Sequence, residues 1–382
     1  MKDKSLPVKS PNKVLVKGSI GNFNFGDDLL IFSMIKYLRS YNYDLEIEVF
    51  SRSAYISRFV EDAKLVGERD KRDSYDLLLY AGGTQFATFR KWKNQLFINY
   101  LDQIILLIKK PGKIIDKIKK IWSKRSPTIY TKIALVGVGI GPFFEHDSFF
   151  NKTMDLLKGS HFVAVRDVLS LEICKTNGVT CKNGSDLIFS LPEKYWIPFK
   201  TNVNKNKKIA IIIRDWDYSK EKASFIRQIA ALAEGNETLR IISFCEPKDK
   251  KGINFLLKEG YGDKLDIWDP ENMQIEDFLY HLASYDLFVT TRYHGALVAA
   301  LMGKPFMSIG IEPKLTMVAE KFNMPIWNYP YSIDDFKKGI KIIDENYSAM
   351  TQSINDIVEV ERDKNEEMLN DLNDLLDDIL KG

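Results

Sequence analysis

Arg292 and His294 stand two residues apart in a setting that gives both a chemical use. Arginine is a permanent cation whose planar donor fork matches carboxylates and phosphates. Histidine is the side chain whose proton moves near neutral pH. Leu287 to Thr290 is a short apolar run with a β-branched end, which predicts a buried strand. Gly295 opens an apolar, helix-forming run from Ala296 to Met302. Gly303 ends that run, Pro305 prevents its continuation, and Phe306 to Ile309 predicts the next strand. Arg292, Tyr293 and His294 therefore sit where a strand delivers the chain to a helix N-terminus. In a parallel sheet that point is the carboxyl edge, where ligands of open α/β sheets bind. The unpaired N–H groups and partial positive charge there favour an anion. The expectation is an anion-binding corner with a proton donor beside it, an arrangement suited to catalysis.

The elements that must position this corner repeat one grammar. Val14 to Lys17 predicts a first strand, followed by the glycine- and asparagine-rich stretch 18–28. Leu29, Leu30, Met34, Ile35 and Leu38 then recur at helical spacing, and Asp27 or Asp28 would cap that helix. Gly21, Asn22, Gly26 and Asp27 read either as ligand-facing backbone and side chain or as a tight capped turn; Asp28 reads as a capping residue. Leu45 to Phe50 and Asp76 to Tyr80 predict further strands, the second entering a turn at Gly82 and Gly83. Ile133 to Val138 enters a turn at Gly139, and Phe162 to Val165 enters Arg166 and Asp167. Strand, glycine turn and helix in repetition describe a doubly wound parallel sheet, whose turns converge on one cleft. Asp186, after Asn183 and Gly184, reads as a turn-forming aspartate or as a further residue of the same edge.

A linker is expected within 191–206, and a second αβ series follows from Ile209 to Ile213 onward. The fold class is α/β, with two Rossmann-like domains facing each other across a cleft, the layout of GT-B glycosyltransferases. The boundaries expected are 1–195 on the acceptor side, 205–350 carrying the anion corner, and 351–382 as a terminal packing helix with a stripe from Met368 to Leu380.

Composition narrows the function classes. A chain of 382 residues fits two domains, and a net charge of +3 makes no demand for nucleic acid. Cys174, Cys181 and Cys245 show no metal-ligand spacing and read as reduced thiols, so neither a metal site nor a disulfide is expected. Met1 to Lys13 is basic and polar, unlike a signal peptide, and no run of about 18 apolar residues occurs. A cytoplasmic protein is expected. One stretch departs from the grammar: Arg90 to Arg125 holds eleven Lys and Arg against Asp102 and Asp116, interleaved with aliphatic residues and split at Pro111-Gly112. It reads as a peripheral membrane-surface module or as a helical pair packed on the domain.

Taken together the motifs resemble the polysaccharide pyruvyl transferase family. They are Gly-Asn-Phe-Asn-Phe-Gly-Asp-Asp at 21–28, Gly-Gly-Thr at 82–84, Gly-Val-Gly-Ile-Gly-Pro at 137–142, Val-Arg-Asp-Val-Leu-Ser at 165–170, and Arg-Tyr-His-Gly at 292–295 with Gly-Lys-Pro at 303–305. Each is weak alone; five in order across roughly 14–310 are specific. Thr84 stands where the family often has a third glycine. The resemblance implies transfer of the pyruvyl group of phosphoenolpyruvate, as co-substrate and with no resident cofactor, to a sugar of a surface polysaccharide or of its lipid-linked precursor. It implies a role for Arg292 and His294 in donor binding and catalysis, and it adds Arg166 as a donor-binding residue. His294 would be the general acid, Asp27 the base for the attacking hydroxyl, and Gly82, Gly83, Gly139 and Gly295 close-approach backbone. Two rivals share the fold: a nucleotide-sugar-dependent glycosyltransferase, and a non-catalytic sugar-binding or scaffold protein.

Overall fold

The computed structural model describes residues 12–41, 44–67, 74–87, 129–143, 148–196, 207–215 and 219–381. The basic segment 90–125, with its membrane-surface reading, lies outside them. No helix among the described residues is long and apolar enough to cross a membrane.

Short runs such as Val-Leu-Val and Ile-Ala-Ile-Ile-Ile are buried on both faces, as parallel strands between helical layers require. They form two sheets. The first holds β1 (Lys13–Lys17), β2 (Glu46–Phe50), β3 (Lys64–Val66), β4 (Ser74–Phe86), β5 (Ile129–Ile140), β6 (Phe162–Val165) and β7 (Lys182–Asn183), in the spatial order 3-2-1-4-5-6-7. The second holds β8 (Ile209–Ile213), β9 (Leu239–Ser243), β10 (Leu265–Ile267), β11 (Leu287–Thr290), β12 (Phe306–Ile309) and β13 (Ile326–Trp327), in the order 10-9-8-11-12-13. The pairings are parallel, and each sheet reverses its winding once, between β1 and β4 and between β8 and β11. Those switch points are where a doubly wound sheet opens its ligand crevice.

The described helices are α1 (Phe25–Tyr41), α2 (Ser148–Lys158), α3 (Val168–Thr176), α4 (Ser219–Ala233), α5 (Glu246–Lys258), α6 (Ile275–Ala283), α7 (Tyr293–Leu301), α8 (Pro313–Lys321) and α9 (Ile333–Lys381). Helix α9 leaves helical geometry at Asn346. Its first part packs on the second sheet, where the Tyr347 hydroxyl donates to the Asp286 carbonyl at 2.9 Å. Its second part returns to the first domain, accepting a 3.0 Å hydrogen bond from the Tyr37 hydroxyl at the Leu369 carbonyl. Leu369, Leu372 and Leu376 join the same apolar cluster as Leu30 and Leu187.

Three local expectations are corrected. Gly82 and Gly83 do not make a strand-to-helix turn; β4 runs through them to Phe86, with positive φ of 54° and 75°. A side chain at Gly82 would lie 2.9 Å from Leu30, so glycine here lets α1 lie close on the strand. Gly139 likewise lies inside β5. Helix α1 begins at Phe25, so Asp27 and Asp28 fall in its first turn and neither is the cap.

Asp28 instead joins the domains. It is fully buried, accepting from the Tyr55 hydroxyl of its own domain and from Trp268 Nε1 of the other, both at 2.9 Å. Beside it the Phe25 ring enters a pocket of Phe244, Trp268 and Phe278, with centroids 4.8–5.1 Å away, and its N–H donates to the Phe244 carbonyl at 2.8 Å. Burial outweighs the two hydrogen bonds, and the neighbouring Asp27 adds repulsion, so the Asp28 pKa is pushed up to about 7. The folded protein then holds this proton more tightly than the unfolded chain between about pH 4 and pH 7. Its contribution is complete below about pH 4 and is lost as pH rises through about 7. Asp28→Asn is neutral throughout and should remove that slope. Relative to wild type it should gain about 4 kcal/mol between those limits, since each pKa unit is about 1.4 kcal/mol. Denaturant unfolding across this pH range checks it; parallel curves would refute the assignment.

Candidate active site

The two switch points face each other. Gly26, in the first turn of α1 after β1, meets His294, in the first turn of α7 after β11. A Cβ placed on Gly26 would lie 2.3 Å from His294 Nδ1 and 2.7 Å from Cγ, so the imidazole lies directly on the glycine backbone. The other ring nitrogen, Nε2, is 3.6 Å from Asp186 Oδ2, an ion-pair distance beyond hydrogen-bond range. Nε2 is buried and has no hydrogen-bond partner among the described residues.

Asp186 links His294 to Arg166. Arg166 leaves the end of β6 and is 5% exposed. Its Nη1 donates to Asp186 Oδ2 at 2.8 Å, its Nη2 donates to Thr84 Oγ1 at 2.7 Å, and its guanidinium lies 4.6 Å from the centre of the Tyr293 ring. Arg166 Nε is buried and has no hydrogen-bond partner among the described residues, with Asp167 Oδ2 at 3.6 Å. Gly139 supplies the space: a Cβ there would lie 3.0 Å from Arg166 Nε and 3.2 Å from Thr84 Oγ1. Burial opposes the Asp186 charge, but the imidazole of His294 and the guanidinium of Arg166 hold its pKa down at about 2. Burial likewise works against the Arg166 cation; Asp186 outweighs it, and the arginine is held more firmly charged.

Further cations line the carboxyl edge of the second sheet. Arg214 follows β8 and pairs with Glu312, just before α8, while Lys314 Nζ is 3.1 Å from the other Glu312 oxygen. Burial, together with the Arg214 and Arg166 charges, lowers the Lys314 pKa against the pull of Glu312. Two buried nitrogens without hydrogen bonds among the described residues, set among arginines and a lysine, form a place for an oxygen-rich anion next to a group that carries a proton.

The family model described as polysaccharide pyruvyl transferase matches residues 24–313. The chain belongs to that family. A search of curated protein sequences finds no match. Among solved structures, the Anabaena protein HepE in complex with UDP-glucose is 12% identical with a TM-score of 0.55, covering 95% of this chain and 99% of that one. The UDP-GlcNAc 2-epimerase from Neisseria meningitidis bound to UDP-GlcNAc is 10% identical with a TM-score of 0.53, covering 94% and 100%. A glycosyltransferase from Rickettsia africae is 11% identical with a TM-score of 0.50, covering 98% and 100%. At such identities the likeness shows a shared fold, the two-domain GT-B-like architecture.

In this pyruvyl transferase family member the expected site residues fall into two groups. Gly26, Gly139, Arg166 and His294 meet at the crevice. Asp27, next to Gly26, is half-buried, with Oδ2 accepting from Asn24 Nδ2 at 2.6 Å and Oδ1 4.0 Å from where a Gly83 side chain would start. The others have different partners. Arg292 is 8% exposed; its Nη2 donates to Asp249 Oδ1 at 2.5 Å and its Nε to the Ile213 carbonyl at 3.2 Å, so these donors anchor the turn ahead of His294. A Cβ on Gly295 would lie 2.3 Å from Thr290 Oγ1, and its N–H donates to the Arg292 carbonyl, so that glycine serves helix-on-strand packing. Gly21 has a φ of 80° and its carbonyl accepts from Ser53 Oγ; exposed Asn22 folds back onto the Ser19 carbonyl.

The sequence left Asp186 between a turn-forming role and a place at the ligand-facing sheet edge, and it drew no attention to Asp249, Arg214 and Lys314. Lys314 had a readable signal. It follows a predicted strand and sits beside Pro313 at a helix start, the same strand-to-helix logic that singled out His294. The Lys304 of Gly-Lys-Pro is structural: it is buried and donates to the Ala283 and Tyr285 carbonyls behind α6.

Proposed function

We propose that the enzyme transfers the pyruvyl group of phosphoenolpyruvate, as a ketal, to a sugar of a surface polysaccharide or of its lipid-linked precursor. The observation that supports this is that His294 and Arg166 converge on Asp186 Oδ2 from different domains, with His294 Nε2 and Arg166 Nε both buried and without hydrogen-bond partners among the described residues. Phosphoenolpyruvate carries a carboxylate and a phosphate, and Arg166, Lys314 and Arg214 supply positive charge for both.

His294 donates a proton to the methylene carbon, which becomes a methyl group, and positive charge develops on the adjacent carbon. A sugar hydroxyl oxygen bonds to that carbon and loses its proton, with Asp27 as the accepting base. The carbon–oxygen bond to phosphate then breaks, and its electron pair leaves with the phosphate. A second hydroxyl closes the ketal, and its proton completes hydrogen phosphate. No resident cofactor is invoked. Arg292, through Asp249 and Ile213, holds the turn that presents the imidazole.

Incubation with phosphoenolpyruvate and candidate lipid-linked or nucleoside-diphosphate sugars tests this. The expected result is phosphate release with a pyruvyl group found on the acceptor by mass spectrometry. Release of a nucleotide, with no pyruvyl gain, would replace this reading with nucleotide-sugar-dependent glycosyl transfer.

A further inference from the structure

We propose that Asp186 is the positioning residue and counter-charge of His294, supplied by the opposite domain, so that the proton donor is complete only when the two domains are apposed. This rests on His294 being the proton donor of the transfer proposed above.

The two oxygens of Asp186 have separate duties. Oδ1 accepts from the Ile188 N–H at 3.2 Å, capping the short turn Leu187–Ser190, which accounts for a turn-forming aspartate. Capping makes no use of Oδ2. That oxygen faces two cation-forming groups from different domains, Arg166 at 2.8 Å and His294 at 3.6 Å. The residue is 1% exposed, and its backbone is held as well: Asn365 Nδ2 of α9 donates to the Asp186 carbonyl at 3.0 Å, and Ser185 Oγ beside it donates to Glu361 at 3.0 Å. A carboxylate fixed by its cap, its arginine and a second helix is a rigid reference for an imidazole.

The groups around the imidazole agree with this account. Tyr293, on the same helix, is half-buried, and desolvation of its hydroxyl holds it neutral. Arg166 has its charge balanced by Asp186 and Asp167. Asp27 on α1 is bonded to Asn24, and Glu361 on α9 is paired with Lys321 and Lys364. Among the described residues, Asp186 is the carboxylate within ion-pair distance of the ring. It belongs to the domain that His294 does not.

Asp186→Asn keeps an oxygen for the Ile188 cap and removes the charge. Two readouts separate positioning from mere stability. The alkaline limb of kcat against pH should move down when the carboxylate facing the imidazole at 3.6 Å loses its charge. Without any substrate, the imidazole ¹⁵N spectrum at fixed pH should show a smaller protonated fraction for His294; four histidines make the assignment tractable by substitution. The same limb and the same protonated fraction as wild type would overturn the proposal. If wild type shows no phosphoenolpyruvate-dependent transfer, the proposed reaction fails, while the spectrum still decides the pair. If Asp186→Asn does not fold, Asp186→Glu is the second variant. It should retain the wild-type limb while kcat falls at least tenfold, because the charge stays and its position moves. A wild-type kcat in Asp186→Glu would overturn the positioning role.

Discussion

Replacing His294 with glutamine is expected to lower kcat for the proposed pyruvyl transfer by about 10²–10⁴-fold, the usual contribution of a positioned general acid. Glutamine occupies comparable volume and holds an amide near Asp186, but it cannot deliver a proton to a carbon. The fold should survive, because the Nε2 that is lost makes no hydrogen bond among the described residues. The measurement is kcat with saturating phosphoenolpyruvate and acceptor, alongside a thermal melt. A folded variant within a few-fold of wild type would remove His294 from the chemistry.

Gly26→Ala should be nearly as damaging for a different reason. Within a helix, alanine is favoured over glycine by about 1 kcal/mol, so on local grounds alone α1 should gain stability. The added methyl, however, would lie 2.3 Å from His294 Nδ1, 2.7 Å from Cγ and 2.8 Å from Cβ. The imidazole must move, and a displacement of about 1 Å at a reacting group costs about 10²-fold in rate. A loss of that size in kcat is expected, with the acceptor KM little changed. The double variant with His294→Gly, which also removes the Cβ that the methyl would meet at 2.8 Å, gives the complementary test. There the methyl has room, and the helix gain of about 1 kcal/mol should reappear relative to His294→Gly alone. Equal stabilisation in both backgrounds would show that the imidazole does not rest on Gly26.

The fold was legible because parallel strands announce themselves. Val14 to Lys17, Ile209 to Ile213 and Leu287 to Thr290 are continuous apolar runs that only a sheet covered on both faces accommodates. Helix α7 was legible from Gly303 and Pro305 at its end. The glycines were ambiguous. A glycine in sequence says that a side chain does not fit but not what fills the space. Gly26 faces the imidazole and Gly139 faces Arg166, whereas Gly82 faces Leu30 and Gly295 faces Thr290. Asp186 and Asp28 were opaque because their partners lie far along the chain, at His294 and Trp268. Local pattern offers a capping role for any aspartate near a turn. Arg292 shows the converse: a strong local motif marked the corner, while the direction of its fork was set by Asp249, forty-three residues earlier.

Helix α9 also bears on how the chain is made. Synthesis runs from the N-terminus, yet the side chains that cover the apolar face around Leu30 and Leu187 are Leu369, Leu372 and Leu376. Between Leu187 and Leu369 lies the whole second sheet. At about 5–20 residues per second, that interval on the ribosome lasts about 10–40 s. Throughout it the leading domain presents an uncovered greasy flank, a natural target for holding chaperones on the nascent chain. The usual order, in which an N-terminal domain folds to completion while its successor is still being translated, is closed to this topology. The domain that is made first is sealed last.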